Sequence, residues 1–359
     1  MLTLAAAILG IGALLPLASN AADKPVVRTS AQPCLHGMEI WYADKEGWLK
    51  DAPFNSEFLL FSSGSPQTEA LAANQWDAGA MGTVPTMMAN LRYGYKIIGI
   101  SNDESKTNDI WVRPDSPILK TKGANPEYPD IYGTPDDWKG KKILGPLVTT
   151  AHYPMANTLR ALGLSDKDVN YVDMELGQAM TAFKAGEGDA IMLWAPQSYM
   201  AEALGWKKVS DGAAAKSPVV GAIGVRKEFA EEHPDLVVDW LDLYMRGVEK
   251  MKNQPQDMVD PLLKYFTDYC GLDVTREMVE KEFKNRTLYD VDEQVEILEN
   301  PEKMAKWVRG VADFLLKQGR ITQKEYDRYV NANYNIDPSF MKKLAERRKA
   351  QATPAKAAN

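Results

Sequence analysis

The sequence predicts an α/β protein of two lobes, and two observations support that prediction. From Val26 onward, short apolar segments alternate with helical patterns; the segments are VVRTS, SEFLLFSS, DAGAMG and KIIGIS. The same alternation restarts at KKILGPLV and continues through NYVDM and DAIMLW. Strands separated by helices form βαβ units with a mostly parallel sheet. Two such series therefore predict two α/β lobes in one chain.

The helices that alternate with these strands can be placed from apolar spacing, proline and glycine. In the first series the pattern predicts helices near 38–44, over 67–73 and over 85–92. In the second series it predicts helices over 154–162 and 178–185, each followed by a glycine, the residue that most readily ends a helix. Each helix follows a strand and returns the chain to the next one.

The region between the two series and the region after them differ in pattern. Residues 113–139 contain PDSP and TKGANPEYPDIYGTP, which predict a crossover with a surface insertion. After Lys227, apolar residues recur at spacings of three and four, as at Val237, Leu241 and Tyr244, so long amphipathic helices are expected to pack on a lobe. Residues 347–359 are basic and then rich in Ala, which predicts a disordered tail.

The first residues have the pattern of a secretory signal peptide. The apolar run LTLAAAILGIGALLPL is followed by small residues and by a first charge at Asp23. This run is shorter than the roughly 20 residues that a membrane-spanning helix needs. No Lys or Arg precedes it, which departs from the usual pattern. We expect a signal peptide over residues 1–21, cleaved near Ala21, and therefore an exported, periplasmic chain.

Charge, cysteines and histidines exclude several function classes. A net charge of −7 and a pI of about 5.3 argue against nucleic acid or an anionic membrane as the partner. His36, His152 and His233 lack metal-ligand spacing, and the chain has no HExxH, CxxC or Gly-rich phosphate loop, so we predict no metal site and no cofactor. Cys34 and Cys270 are far apart in sequence, and whether an exported chain joins them in a disulfide stays open.

The loops from strand to helix predict a binding cleft for an anion. In open α/β sheets, ligands bind beyond the carboxyl ends of the strands, where helix N-termini present unpaired N–H groups and partial positive charge. Hydroxyl caps and Pro in the first turn mark such loops here. The loops are Gln32-Pro33-Cys34-Leu35, Ser62-Ser63-Gly64-Ser65-Pro66, Gly82-Thr83-Val84-Pro85 and Thr149-Thr150-Ala151-His152. Any one of them alone is explained by helix capping; their repetition at one sheet edge favours a site.

Three side chains near these loops have two interpretations each. Trp194 ends a buried strand before Pro196, so its ring either walls the pocket or belongs to the core. His152 either donates a hydrogen bond to an anion or lies on the surface near its helix start. Cys34 and His36 are close in sequence, but that spacing alone does not make a nucleophile and a base, so we predict no catalytic residue.

Five longer segments carry a resemblance to a known family. They are SSGSPQTEALAANQWDAGAMGTVPTMMA, TTAHYPMANTLRALGLSDKDVNYV, AFKAGEGDAIMLWAPQ, and EFAEEHPDLVVDWL with VADFLLKQGRI. They resemble the nitrate, alkanesulfonate and taurine family of ABC-transporter periplasmic substrate-binding proteins, over nearly the whole mature chain. The resemblance implies a type II periplasmic-binding-protein fold with a hinge of two crossing segments near Val112 and Val220. Lobe 1 is then expected over 22–112, lobe 2 over 113–220, and a return to lobe 1 with extra C-terminal helices over 221–346.

The resemblance also implies a set of ligand-contacting residues. They are Gln32, Ser63, Gly64, Ser65, Gly82, Thr83, Thr149, Thr150, Ala151, His152 and Trp194. Cys34 joins this set because its loop follows the first strand. Two departures stand out. Ala195 occupies a position where the family commonly has an acidic residue, which makes taurine less favoured; the longer insertion over 121–135 is either a lid or a surface decoration.

The resemblance implies a periplasmic solute-binding component of an ABC importer that captures a small organic anion, with a sulfonate favoured. Its partners would be a permease and an ATPase, and we expect a monomer without enzymatic activity. Two alternatives stay open. Relatives of this fold in thiamin-pyrimidine biosynthesis are enzymes, and a periplasmic sensor subunit would bind the same solute but signal to a membrane receptor.

Overall fold

The structure is a computed structural model that describes residues 24–331 and 335–352. Within those ranges, ten strands form two sheets of five strands each. The strands are β1 (Val26–Ala31), β2 (Asn55–Leu60), β3 (Ala78–Gly82), β4 (Tyr95–Asp103), β5 (Asn108–Val112), β6 (Lys142–Gly145), β7 (Asn170–Asp173), β8 (Ala190–Trp194), β9 (Lys207–Asp211) and β10 (Val220–Arg226). The predicted signal peptide over residues 1–21 lies outside the described residues.

Helices cover both sheets and make up most of the chain after β10. They are α1 (Glu39–Lys45), α2 (Gly64–Ala72), α3 (Thr83–Arg92), α4 (Pro135–Trp138), α5 (His152–Ala161), α6 (Leu176–Lys184), α7 (Gln197–Ala203), α8 (Lys227–Glu232), α9 (Pro234–Asn253), α10 (Val259–Lys264), α11 (Arg276–Asn285), α12 (Val291–Leu298), α13 (Pro301–Lys317), α14 (Gln323–Asn331) and α15 (Ser339–Ala352). Over the described ranges, none of these helices combines the length and the apolar character that a bilayer crossing requires.

The two sheets have the same design. The first has the order β2-β1-β3-β10-β4 and the second the order β7-β6-β8-β5-β9. In each sheet, three strands pair in parallel, and one strand, β10 or β5, is antiparallel to both of its neighbours. We call the part built on the first sheet lobe 1 and the part built on the second sheet lobe 2. The prediction of two α/β lobes is confirmed.

The chain crosses between the lobes twice. Strand β5 pairs with β8, with Asn108 opposite Trp194 and Val112 opposite Ala190, so it belongs to lobe 2. The first crossing therefore lies over residues 104–107, one strand earlier than the crossing expected near Val112. An apolar strand carries no sequence signal for which of two sheets it joins. The second crossing, between β9 and β10, covers residues 212–219 and leads into β10 at Val220.

The helices that follow strands begin earlier than their sequence pattern suggests. Helix α2 begins at Gly64 rather than at residue 67, α3 at Thr83 rather than 85, and α5 at His152 rather than 154. The proline of each loop lies inside the first turn, where its missing N–H costs no hydrogen bond. The predicted site loops thus belong in part to the first turns of helices.

The C-terminal segment is ordered further than predicted. Helix α15 continues to Ala352, although a disordered tail was expected from residue 347. Arg347 is paired with Asp239 of α9, and Arg348 contacts Asp242 and Glu249 of the same helix. These ion pairs hold the basic residues against α9, which explains why the composition alone was misleading. The remaining predicted tail, 353–359, lies outside the described residues.

Helix α13 packs on both lobes. It contacts α3 of lobe 1 and α5 of lobe 2. Its Phe314 ring lies 5.1 Å from the ring of His152 and 5.5 Å from that of Tyr153, centroid to centroid. Beyond its end, Gln318 hydrogen-bonds to Asp166 of lobe 2. The lobes are therefore connected by a packed helix as well as by two backbone crossings.

The insertion over residues 121–135 belongs to lobe 2. Ile131 is buried in the lobe 2 core, and the amide of Tyr132 donates to the carbonyl of Val209 in β9. The indole of the buried Trp138 donates to the carbonyl of Tyr132 at 2.9 Å. These contacts make the insertion an extension of the lobe 2 core.

Candidate functional site

A cavity of about 380 Å³ lies between the lobes, at the carboxyl ends of strands from both sheets. This volume suits a small organic molecule. Most of the predicted ligand-contacting residues line it, and they are Gln32, Cys34, Gly64, Ser65, Gly82, Thr149, Thr150 and Trp194. Residues from loops that are far apart in sequence therefore meet at one cleft.

The other predicted residues lie beside the cavity rather than on its wall. Thr83 is buried; its hydroxyl donates to the carbonyl of Val220 and accepts from the amide of Val220 at 3.2 Å. It therefore fixes the start of α3 to the end of the second crossing. Ala151 is buried in the lobe 2 core, and the hydroxyl of Ser63 lies 3.4 Å from Glu175 of lobe 2.

His152 faces away from the cavity. Its Nδ1 accepts a hydrogen bond from the amide of Val148 at 3.2 Å, and its ring packs against Tyr171 and Phe314. Its Nε2 lies 3.7 Å from a carboxylate oxygen of Asp166. The imidazole thus connects α5 to α13, and neither sequence interpretation, anion donor or surface residue, describes this position.

A buried amide network positions Gln32 at the cavity. Its Nε2 donates to Oε1 of Gln67 at 2.5 Å, and Nε2 of Gln67 donates to Ser30 at 2.7 Å and to the carbonyl of Ala80 at 3.1 Å. Because a buried amide needs all of its partners, this network fixes the orientation of Gln32.

The floor of the cavity is charged, which the sequence analysis did not anticipate. Glu104, at the first crossing, accepts from Nδ1 of His36 at 2.9 Å and from Nη1 of Arg286 at 3.2 Å. Arg286 follows α11 and also contacts Asn102 at 2.8 Å and Glu282. Burial opposes ionisation of Glu104, but the hydrogen bond and charge of His36 and the charge of Arg286 outweigh it and lower the pKa of Glu104 to about 2. Glu104 is therefore a carboxylate at neutral pH.

Cys34 contacts His36 at this floor. Its Sγ lies 3.1 Å from Nε2 of His36. Cys34 has an extended backbone (φ −150°, ψ 171°) and is followed by a tight helical turn over Leu35–Gly37, which returns the imidazole toward the thiol. The spacing of two residues thus places the thiol and the ring in contact, a result that depends on this local turn. Both cysteines are free, so Cys34 and Cys270 form no disulfide here.

The rim of the cavity carries charges from two segments that are far apart in the chain. Arg92, at the end of α3, and Arg320, beyond α13, both line it. The guanidinium of Arg92 donates to the backbone carbonyl of Arg320 at 2.7 Å, which connects the two segments. Glu69 and Asp173 also line the cavity. In the described part of the chain, no group of three or more His, Cys, Asp or Glu side chains is arranged to hold a metal ion.

Comparison with known proteins assigns the chain to a family. Residues 48–260 match the family model described as the substrate binding domain of an ABC-type glycine betaine transport system. The chain belongs to this family. The resemblance to ABC-transporter periplasmic binding proteins expected from the sequence is confirmed.

Curated relatives of this substrate-binding protein are similar over most of their length. A Brachyspira hyodysenteriae protein named as an ABC transporter periplasmic binding protein is 29% identical over 325 residues, covering 90% of this chain and 91% of its own. A Bacillus subtilis protein named as an aliphatic sulfonates-binding protein is 29% identical over 327 residues, covering 89% and 88%.

Solved structures of similar fold include the alkanesulfonate-binding protein of Xanthomonas axonopodis bound to MOPS. It is 19% identical, with a TM-score of 0.64, and the match covers 85% of this chain and 96% of that one. The periplasmic aliphatic sulphonate binding protein of Escherichia coli gives a TM-score of 0.63 at 19% identity, covering 82% and 88%. These matches support the type II periplasmic-binding-protein fold.

The lobes of this substrate-binding protein are in contact across the cleft. A Cβ added at Gly82 of lobe 1 would lie 2.1 Å from Oγ1 of Thr150 in lobe 2, so only glycine permits this approach. Ser62 and Ser63, before α2, hydrogen-bond to Glu175, before α6, at 3.5 and 3.4 Å. The structure is therefore that of a closed cleft.

Sequence reasoning missed His36, Glu104, Arg286, Arg92 and Arg320 as cleft residues. Glu104 and Arg286 are 182 positions apart, and a contact of that separation leaves no trace in local pattern. One local signal was available, because Glu282 and Arg286 have the i,i+4 spacing of a helical ion pair. That spacing predicts a paired arginine but does not place it at the cleft.

Proposed function

We propose that this chain is the periplasmic solute-binding component of an ABC importer and captures a small organic anion, with a sulfonate favoured. The observation that carries the proposal is the convergence of helix starts on one cavity. Gly64 and Ser65 of α2, Gly82 before α3, and Thr149 and Thr150 before α5 all line it. Helix N-termini and hydroxyl groups suit a sulfonate, because its oxygens accept several hydrogen bonds at once.

The transport cycle follows from the two crossings. The anion docks on one lobe, rotation about residues 104–107 and 212–219 brings the other lobe onto it, and the closed form is the one that the transporter recognises. A permease and an ATPase would complete the importer and supply the energy, while this chain, as a monomer, captures and releases the solute. Export through the predicted signal peptide would place it in the periplasm, the location that the name of the Brachyspira hyodysenteriae relative gives for that protein.

The cleft favours a sulfonate without an amino group over taurine. Ala195 has no side-chain acceptor; it is buried, and its amide donates to the carbonyl of Thr107 at 2.9 Å. The buried Glu104 is already paired with His36 and Arg286. At these two positions an ammonium group would lose its hydration without an unpaired carboxylate to replace it, which is costly. The exposed Glu69, which also lines the cavity, would offer only a weak surface ion pair.

A thermal-shift panel tests the proposal. Alkanesulfonates of increasing length, taurine, carboxylates, nitrate and pyrimidines are each added to the purified chain. A solute at 100 times its Kd stabilises the folded state by about 2.7 kcal/mol, so a short alkanesulfonate should raise the melting temperature and taurine should raise it less. Stabilisation by pyrimidines with none by any sulfonate would reject the ligand class.

A pair of threonine variants localises the binding. Thr150→Val removes a hydroxyl that lines the cavity, so it should reduce the shift given by the same sulfonate. Thr181→Val changes an exposed threonine of α6 in the same lobe and should leave the shift unchanged. Equal shifts in both variants would place the anion elsewhere.

A further inference from the structure

The floor of the cleft contains a chain of three side chains that solute capture does not require. The thiol of Cys34 contacts Nε2 of His36 at 3.1 Å, and Nδ1 of His36 contacts Oε1 of Glu104 at 2.9 Å. All three residues line the cavity between the lobes. Arg286 and the short turn after Cys34 hold the carboxylate and the ring in place. A nucleophile, a base in contact with it, and a third group that orients the base are the components of a catalytic triad.

The hydrogen bonds among Cys34, His36 and Glu104 place the protons of these three side chains as base catalysis requires. Glu104 is ionised, so the proton of its hydrogen bond with His36 lies on Nδ1. When His36 is neutral, its other nitrogen, Nε2, is the acceptor that faces Cys34. Burial, followed by the charge of Glu104, raises the pKa of the Cys34 thiol well above its usual range, so the sulfur keeps its proton until a base removes it. His36 is the base within reach.

We propose that Cys34 is a nucleophile, His36 its general base and Glu104 a positioning residue, and that the closed cleft hydrolyses a small anionic thioester. Cys34 Sγ bonds to the thioester carbon while its proton passes to Nε2 of His36. The carbon–sulfur bond to the leaving thiol breaks, and that thiol takes the proton from His36. Water then attacks the acyl-Cys34 with His36 again as base, which releases a carboxylic acid and restores the thiol. The sum is thioester plus water giving acid plus thiol, with no oxidant or reductant.

A thioester is the acyl donor that this nucleophile suits best. Attack by a thiol on a thioester exchanges one carbon–sulfur bond for another, so the covalent intermediate is about as stable as the substrate. The first N–H groups of α2, whose Gly64 and Ser65 line the same cavity, have no acceptor within their helix and are available to a developing oxyanion. The anionic end of the substrate rests on the proposed function. It would be held by the starts of α3 and α5, where Gly82, Thr149 and Thr150 line the cavity, which leaves the N–H groups of α2 to the oxyanion.

The test uses the full mature chain and S-acetyl-3-mercaptopropane-1-sulfonate, which joins a thioester to a sulfonate. Intact mass and peptide mapping should find one acetyl group on Cys34 early in the reaction, and chromatography should show the free mercaptosulfonate accumulating over several turnovers. Cys34→Ala should abolish both, and His36→Gln should slow acetylation by about 100-fold or more. Cys270→Ser, which changes the other free cysteine, should keep the rate of the unchanged chain.

The role of Glu104 is tested by rescue. Glu104→Gln keeps the shape but removes the charge that holds the proton on Nδ1, whereas Glu104→Asp keeps the charge. At equal binding of propane-1-sulfonate, the Asp variant should acetylate about tenfold faster than the Gln variant; equal rates would limit Glu104 to a structural role and overturn its part of the proposal.

The outcomes for catalysis and for anion binding can be told apart. If propane-1-sulfonate binds but Cys34→Ala releases thiol as fast as the unchanged chain, or no Cys34 adduct forms, the catalytic proposal fails and anion capture stands. If Cys34 is acetylated and turns over while no sulfonate binds, catalysis stands and the proposed ligand class fails.

Discussion

The two walls of the cleft differ in chemistry. Lobe 1 and the helices that return to it contribute ionised groups, among them Arg92, Arg286 and Arg320. Lobe 2 contributes mainly hydroxyl and apolar groups, among them Thr150 and Trp194. The one lobe 2 carboxylate that lines the cavity in the described part of the chain is Asp173. It accepts a hydrogen bond from the amide of Leu147 at 2.9 Å and so stabilises the loop between β6 and α5. Arg286 is held in this wall by buried ion pairs with Glu104 and Glu282. Under the proposed function, lobe 1 would therefore be the lobe on which the anion docks.

The largest effect is expected from removing Arg286, the buried cation of the charged wall. Arg286→Met would leave Glu104 and Glu282 buried beside each other without their shared cation. Removing one partner of a buried pair costs about 3–5 kcal/mol, so the free energy of unfolding in urea should fall by that amount. Arg276→Met, an exposed arginine of α11 paired with Asp260, should cost about 1 kcal/mol or less. Similar losses for both variants would contradict a charged wall built from buried pairs.

A second test uses a lobe 1 carboxyl group whose pKa shifts in the opposite direction to that of Glu104. Glu39, the first residue of α1, is buried, and burial raises its pKa from 4.5 to about 8. Between these values the folded chain holds a proton that the unfolded chain has lost, so raising the pH favours unfolding, by up to about 1.4 kcal/mol per pH unit.

Glu39→Gln should remove that part of the decline in unfolding free energy, measured in urea across the same pH range. Glu46→Gln, at the end of α1 and exposed, should keep the decline. A slope that is unchanged in Glu39→Gln would show that Glu39 is already ionised within the fold.

The lobe 2 wall is tested through its aromatic residue. Trp194→Ala should weaken binding of an alkanesulfonate about tenfold, or about 1.4 kcal/mol, because under the proposed function the ring, which lines the cavity, would cover the organic tail. Isothermal titration calorimetry measures this change. Trp307→Ala, a partly buried tryptophan of α13 that packs on Tyr289, should leave the affinity unchanged. Unchanged affinity in Trp194→Ala as well would make that ring a part of the lobe 2 core only.

The smallest effect is expected where the two walls meet. Glu175 accepts long hydrogen bonds from Ser62 and Ser63 across the cleft. Glu175→Gln should therefore favour the open form slightly and weaken ligand binding about twofold, or about 0.4 kcal/mol. Glu187→Gln, exposed at the far end of α6, is the matched control. Small-angle scattering measures the radius of gyration of both variants. If the radius increased more in Glu187→Gln than in Glu175→Gln, Glu175 would have no role in closing the cleft.

The sequence predicted the uncharged parts of the cleft far better than the charged parts. Thr149, Thr150, Gly64 and Ser65 follow strands and begin helices, and both of those signals are local. The expectation of an anion site without charged residues was incomplete, because Arg286 reaches the floor only when α11 packs near the first crossing. Likewise, the lobe membership of β5 depends on which sheet it pairs with, and alternating apolar residues carry no information about that partner.

Helix α13 also constrains how the cleft can open. If the two backbone crossings were the only connection, the lobes could open by a simple hinge rotation. Phe314 of α13, however, packs on His152 and Tyr153 of α5, while the same helix contacts α3 on the other lobe. Shear movements between domains proceed by small sliding displacements of packed helices. Release of the solute would then depend on lateral slippage of α5 along α13, and the aromatic side chains of that seam would set its rate.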